Sequence, residues 1–197
     1  MTLNIGIILG STRPGRKGAD VAAWVHARAA ERTDARYELI DLADFGLPHL
    51  DEPGGGAPYR HQHTRDWSAK ISEFDGYVFV TPEYNHSVPS ALKGAIDFLN
   101  VEWHNKAAGL VSYGGSAGGS RAAEHLRQIL ATLQVATVAT QVSLPFATEF
   151  ERGTDFRPGA YQLPYLAEMF SQVVAWSGAL RALRVPDEEL AASLTAG

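Results

Sequence analysis

Three stretches of this chain combine residue types that can hold and use a bound small molecule. The first is Gly10-Ser11-Thr12-Arg13-Pro14-Gly15-Arg16-Lys17-Gly18, which follows an apolar run and precedes a segment of helical spacing. Two hydroxyls, three cations and the free amides of a helix N-terminus suit one phosphate group. After Gly10 and Gly15 the triphosphate-binding pattern needs Lys at 16 and Ser or Thr at 17, where Arg16 and Lys17 stand. The G-x-G-x-x-G dinucleotide pattern fails as well, since residue 12 is Thr. What remains is a monophosphate held without magnesium, beside the plainer reading of a polar strand-to-helix turn.

The second stretch is Thr81-Pro82-Glu83-Tyr84-Asn85-His86-Ser87. A proline, an aromatic ring and an asparagine at a strand end can wall a flat ring and offer backbone groups to its edge. By itself Pro-Glu-Tyr-Asn is also simply a good turn. The third stretch runs from Ser112 to Ser120, and its four glycines let backbone approach a ligand with its amides exposed. Inside it, Gly114-Gly115-Ser116-Ala117-Gly118 matches the G-x-S-x-G elbow of serine hydrolases. That chemistry needs a histidine later than its acid. The last histidine is His125, in the next helical segment, and none follows Asp155 or Asp187. The hydrolase reading is set aside. Together, a phosphate cradle and two ring-hugging loops describe a phosphorylated planar ligand, and FMN fits.

The elements that would position these loops alternate throughout. Apolar runs predict strands over Leu3–Leu9, Tyr37–Leu42, Gly76–Thr81, Ala107–Ser112 and Thr137–Val142. Helical spacing marks Gly18–Thr33, Thr64–Phe74, Pro89–Leu99, Arg121–Leu133 and Tyr161–Leu183. Five strands alternating with helices imply an α/β, doubly wound, five-stranded parallel sheet, because each crossover lays a helix across a face. A ligand would then lie beyond the carboxyl ends of strands one, three and four, where the three loops stand. The expected layout is one domain over 1–185 with a flexible tail at 186–197. The Pro/Gly-rich stretch at 42–63 is long for a connector and is the candidate cover for a substrate.

Composition narrows the field. The 197 residues suit one domain, and 45% hydrophobic residues supply its core. A net charge of −5 leaves no basic footprint for nucleic acid. The chain has no cysteine, which excludes disulfides, thiolate metal sites and iron–sulfur clusters. No apolar run approaches the length of a membrane span, and the start lacks a basic leader, so a cytoplasmic protein without membrane partners is expected. His61 and His63 suggest a metal pair that His86 and His104 could join, but no carboxylate cluster accompanies them at ligand spacing, and they are read as a solvated loop. Asp41 is read as a loop cap, Lys93 and Asp97 as a surface pair, and Phe98 and Trp103 as core or subunit interface.

With these residues in view, the chain resembles the NADPH-dependent FMN reductases, a flavodoxin-like group that includes quinone, azo-dye and chromate reductases. The likeness runs from about residue 3 to residue 144. Its strongest part is Thr81-Pro82-Glu83-Tyr84-Asn85 with Ser87, Pro89, Leu92-Lys93 and Ala95-Ile96-Asp97, and Gly10-Ser11-Thr12-Arg13 and Tyr113-Gly114-Gly115 agree in order. The resemblance implies that Ser11 and Arg13 hold the FMN phosphate, with Thr12, Arg16, Lys17 and Gly18 around it. It implies that Pro82, Glu83, Tyr84 and Asn85 border the isoalloxazine, with Ser112, Gly114, Gly115 and Ser116 at the far edge. Many relatives carry a Ser and an Asn later in the phosphate loop, where this chain has Arg16 and Gly18. The group also implies NADPH or NADH as donor, a small-molecule acceptor, and a homodimer or homotetramer. No catalytic side chain is nominated, because the cofactor carries the electron chemistry and the protein supplies orientation. The rival reading is a flavodoxin-type carrier, or an FMN-binding module, without direct NAD(P)H turnover.

Overall fold

The computed structural model describes residues 2–53 and 58–184. Its sheet is built from β1 (Leu3–Leu9), β2 (Ala35–Asp41), β3 (Gly76–Pro82), β4 (Lys106–Gly114) and β5 (Val135–Pro145). Every pairing is parallel and the order is β2-β1-β3-β4-β5. β3 and β4 are buried at every position, as central strands covered on both faces must be. The expected doubly wound sheet is therefore present.

Side chains alternate between two cores. Ile5, Ile7, Leu9, Val78, Val80 and Val111 face α1 (Gly18–Ala30) and α6 (Gln162–Leu180). Ile8, Tyr77, Phe79 and Leu110 face α2 (Gln62–Ser72), α3 (Ser90–Asp97) and α4 (Ser120–Thr132). The second core holds Trp67 and Trp103, whose indole N–H groups donate to the carbonyls of Ala95 at 2.7 Å and Ile96 at 3.1 Å. A buried indole needs such a partner. Trp103 and Phe98 thus belong to the interior, the first of the two places, core or interface, expected for them.

Helix and strand ends differ from expectation by at most three residues, and β1 matches at both ends. An unforeseen piece follows β5, which outruns its expected end at Val142. There a helical turn, α5 (Phe146–Glu149), leads into a small hairpin of β6 (Phe150–Glu151) and β7 (Asp155–Phe156). Among the described residues, no helix is long and apolar enough to cross a membrane. The expected tail at 186–197 lies outside the described residues.

Candidate functional site

The chain reverses winding direction between β1 and β3, so a crevice opens at the carboxyl ends of the central strands. The loop after β1 starts with the Gly10 amide still bonded to the Val80 carbonyl at 2.9 Å. Ser11 is buried, and its Oγ shares a 3.1 Å hydrogen bond with Tyr84 Oη. A turn closed by Arg16 N–H donating to the Arg13 carbonyl at 3.1 Å carries the chain to α1. The N-cap residue Lys17 makes no side-chain cap hydrogen bond, which leaves the start of the helix suited to an anion.

The three cations of this loop part company. Arg13 is exposed and its guanidinium carbon lies 5.9 Å from the Tyr84 ring centre. Arg16 pairs with Asp41, whose carboxylate also accepts the Ala43 N–H at 2.9 Å as the expected cap. Lys17 Nζ stands 5.0 Å from the Phe146 ring centre and 5.6 Å from that of Phe150, within cation–π range. Arg13 is therefore the cation at the mouth, whereas Arg16 and Lys17 brace the loop from either side. Thr12 is exposed beside it.

The loop after β3 is a two-residue reverse turn. Tyr84 N–H donates to the Ser87 carbonyl at 2.9 Å and Ser87 N–H returns the bond at 3.0 Å. Asn85 and His86 between them sit at φ 51° and 67°, a left-handed pair that non-glycine residues seldom adopt and that Asn and His tolerate better than most. Pro82 is buried at the strand end, and Glu83 N–H continues the sheet to the Tyr113 carbonyl at 3.0 Å. Burial pushes the Glu83 carboxyl up, but the Arg121 guanidinium more than offsets this and holds it below the usual carboxylate range.

The loop after β4 divides by role. Ser112 is fully buried, and its hydroxyl donates to the Gly118 carbonyl at 2.8 Å, closing its own loop. Gly114 is buried, while Gly115 and Ser116 are exposed. Gly118 and Gly119 at φ 58° and 82° swing the chain into α4, and a side chain at Gly119 would strike Ser112 and Tyr113. His125 hydrogen bonds through Nδ1 to Ser87 Oγ at 2.8 Å. That histidine is engaged by Ser87 and, among the described residues, not by Ser116.

One buried group asks for a ligand. Tyr113 is 3% exposed, and its hydroxyl has no hydrogen-bond partner among the described residues. It lies against Gly18, the first residue of α1, so close that a side chain at 18 would collide with it. Burial, and then the nearby Tyr84 phenol, raise its pKa well above the ordinary tyrosine value, so it remains a donor. A proton donor left unpaired in a buried site costs stability. A phosphate on the α1 amides would supply the missing acceptor, so the residues present fit the phosphate of FMN. Sequence reasoning had Tyr113 in the loop but missed this donor, because its nearness to Gly18 arises only when β4 and α1 meet.

Phe146 and Phe150 were missed too. They are held under Lys17 by Glu149, a fully buried carboxylate accepting from Gly159 N–H at 2.7 Å, Thr148 Oγ1 at 3.1 Å, Gln162 Nε2 at 3.3 Å and Tyr161 Oη. His61 and His63 stack with ring centres 5.3 Å apart, His63 Nε2 lying 3.1 Å from Asp51. Among the described residues no group of three or more such side chains is arranged to hold a metal ion. Lys93 and Asp97 pair on the surface at 2.5 Å.

Comparison with known proteins converges on one family. Residues 3–149 match the family model described as NADPH-dependent FMN reductase. A NAD(P)H-dependent FMN reductase of a Nectria species is 40% identical over 160 residues, covering 77% of each chain. A quinone reductase of Escherichia coli is 35% identical over 138 residues, 66% of this chain and 71% of that one. A solved NAD(P)H:acceptor flavoenzyme from Paracoccus denitrificans superposes with a TM-score of 0.68 over 90% of this chain and 98% of its own, at 19% identity, a likeness of fold. The chain belongs to the NADPH-dependent FMN reductase family of flavin-dependent oxidoreductases.

Proposed function

We propose that the protein passes electrons from NADPH or NADH, through FMN held at the carboxyl ends of β1, β3 and β4, to a quinone, free flavin, azo dye or similar small acceptor. The observation that carries this reading is the unpartnered Tyr113 hydroxyl beside the uncapped start of α1. It is a donor waiting for a phosphate within reach of two ring-walling loops. Bound FMN supplies the two-electron chemistry. The chain's own residues bind and orient. Ser11, Arg13, Tyr113 and the α1 amides take the phosphate, with Thr12 and Gly18 lining the cradle and Arg16 and Lys17 bracing it. Pro82, Tyr84 and Asn85 border one side of the ring, Gly114, Gly115 and Ser116 the other, and Glu83 and Ser112 hold those two loops in shape.

The segment from Leu42 to Leu50 and α3 enclose a groove of about 620 Å³ that reaches Thr12. It gives room for a second substrate beside the phosphate loop. Donor and acceptor using one exposed ring face in turn imply a ping-pong reaction, run in the cytoplasm where reduced nicotinamide is at hand. A homodimer or homotetramer completes the reading. It is supported by the exposed Tyr161, Tyr165 and Trp176 along one side of α6, since aromatic side chains gathered on one surface favour burial.

An anaerobic spectrum tests the reaction. FMN-loaded protein should bleach rapidly with NADPH, and a quinone should restore the colour, with parallel double-reciprocal lines in steady state. Flavin that stays oxidised for minutes under excess NADPH and NADH would point to a carrier instead.

A further inference from the structure

We infer that Arg121 and His125, one turn apart on α4, are positioning residues that clasp the ring-wall turn at both ends and set how tightly and at what potential the flavin is held. Neither lies on a site loop, and the consequence for flavin rests on the reading above.

The turn's own backbone ties together only its two ends. Between Tyr84 and Ser87 there are two backbone hydrogen bonds, and both central residues are non-glycine residues in the left-handed region. Such a conformation persists only where its surroundings over-determine it. Those surroundings come from α4. At the leading end, the Glu83 carboxylate accepts the Arg121 backbone N–H at 3.2 Å and Nε at 2.6 Å, with the terminal guanidinium nitrogen closing the fork. At the trailing end, His125 Nδ1 meets Ser87 Oγ. Residues four apart on a helix share a face, so the two clasps act side by side. They bracket Tyr84 and Asn85, the residues assigned to the ring.

The clasp also handles charge. The Glu83 side chain is 6% exposed and that of Arg121 48%, so the buried carboxylate depends on an accessible partner. Without that guanidinium, a negative charge held only by backbone N–H donors would stand beside the ring, disfavour added electrons and lower the flavin potential. The remaining charged groups of this face, Glu124 and Arg127, pair with each other at 3.1 Å and do not compete for Glu83.

The test uses the full chain with R121M, R121K and H125A, whose side chains are exposed on a helix, so all three should fold. Amide exchange is measured first on ligand-free protein. Protection of 84–87 should fall at least about tenfold in R121M and about threefold in H125A, while β3 stays unchanged. FMN titration should then show about tenfold weaker binding for R121M, the loss of one charge-assisted contact. Its flavin potential should move negative, and R121K should recover most of both effects. Unchanged exchange at 84–87 in R121M and H125A overturns the clasp. Faster exchange with affinity and potential both within twofold of wild type overturns its role in setting the flavin. Wild-type protein that took up no FMN would remove the flavin reading, and the exchange measurement would still decide the clasp.

Discussion

Ser11, Arg13 and Tyr113 are the side chains proposed for the FMN phosphate, and each can be tested by one substitution. Ser11→Ala and Arg13→Ala each remove one charge-assisted contact and should weaken FMN by roughly ten- to a hundredfold. Both should lower riboflavin affinity little, since riboflavin lacks the phosphate. Tyr113→Phe separates binding from folding. It removes a buried hydroxyl that has no partner, so the ligand-free protein should gain up to about 1 kcal/mol of stability. FMN binding should drop by about tenfold in the same variant, because the bound phosphate loses a donor. Calorimetry with and without FMN reads both signs, and a variant less stable in both states would refute the assignment. Ser116→Ala should keep turnover within about tenfold, since a backbone contact survives the change. An esterase activity lost in that variant would revive the hydrolase elbow.

Among the elements, the insertion after β5 depends on a single buried group. Glu149 gathers donors from both of its ends and from α6, and so places the Phe146 and Phe150 rings under Lys17. Burial pushes its carboxyl up, but the surrounding donors prevail and hold it below the usual carboxylate range. Its contribution is therefore complete above the unfolded carboxyl value and is lost as pH falls through the lower folded one. Glu149→Ala leaves several buried donors unpaired, which should cost about 2–3 kcal/mol. In a chain of this size that is roughly 5–10 °C in Tm. FMN affinity should fall with it as Lys17 loses its seat. A Tm within 2 °C of wild type, roughly half a kcal/mol at this size, would show the insertion to be held by other contacts.

At the scale of the molecule, the end of the sheet opposite the crevice, where β4 begins, carries a titratable group that affects stability. Lys106 at the start of β4 is 5% exposed, and its Nζ donates to Tyr77 Oη at 2.8 Å and the Ile71 carbonyl at 3.1 Å. Burial, helped by Arg184 and opposed by Asp75 and Glu102, brings its pKa down to about 7. The unfolded chain keeps an ordinary lysine near 10.4. Between those values the unfolded state binds a proton that the folded state does not, so stability climbs with pH. Near pH 10 the rise should end, because buried tyrosines such as Tyr77, held protonated in the fold, then act in the opposite sense. Thermal melts from pH 7 to 9 should rise in the wild type and flatten in Lys106→Met. Equal slopes in the two proteins would sink this account. Light scattering at micromolar concentration should return at least twice the 21.3 kDa of one chain. A fully active 21.3 kDa particle would refute the assembly.

How much was legible in the sequence follows from which interactions are local. Continuous apolar runs such as Leu3–Leu9 and Gly76–Pro82 announce strands buried on both faces, and alternation with helices then leaves one economical topology. That topology brings the three loops together, so Ser11, Tyr84 and Gly115 could be named as one site from their order alone. The partners of those loops are another matter. Arg16 turns to Asp41, Lys17 to two phenylalanines of an unforeseen segment, and Glu83 and Ser87 to α4, across sequence separations from 25 residues for Arg16 to 129 and 133 residues for Lys17. Phe98 and Trp103 read equally well as core or interface until the packing of α2 against the sheet enclosed them. The physical reason is the same in each case. Propensity and periodicity are carried by neighbours along the chain, whereas the partner of a charge or hydroxyl is chosen by which elements the finished sheet brings within reach.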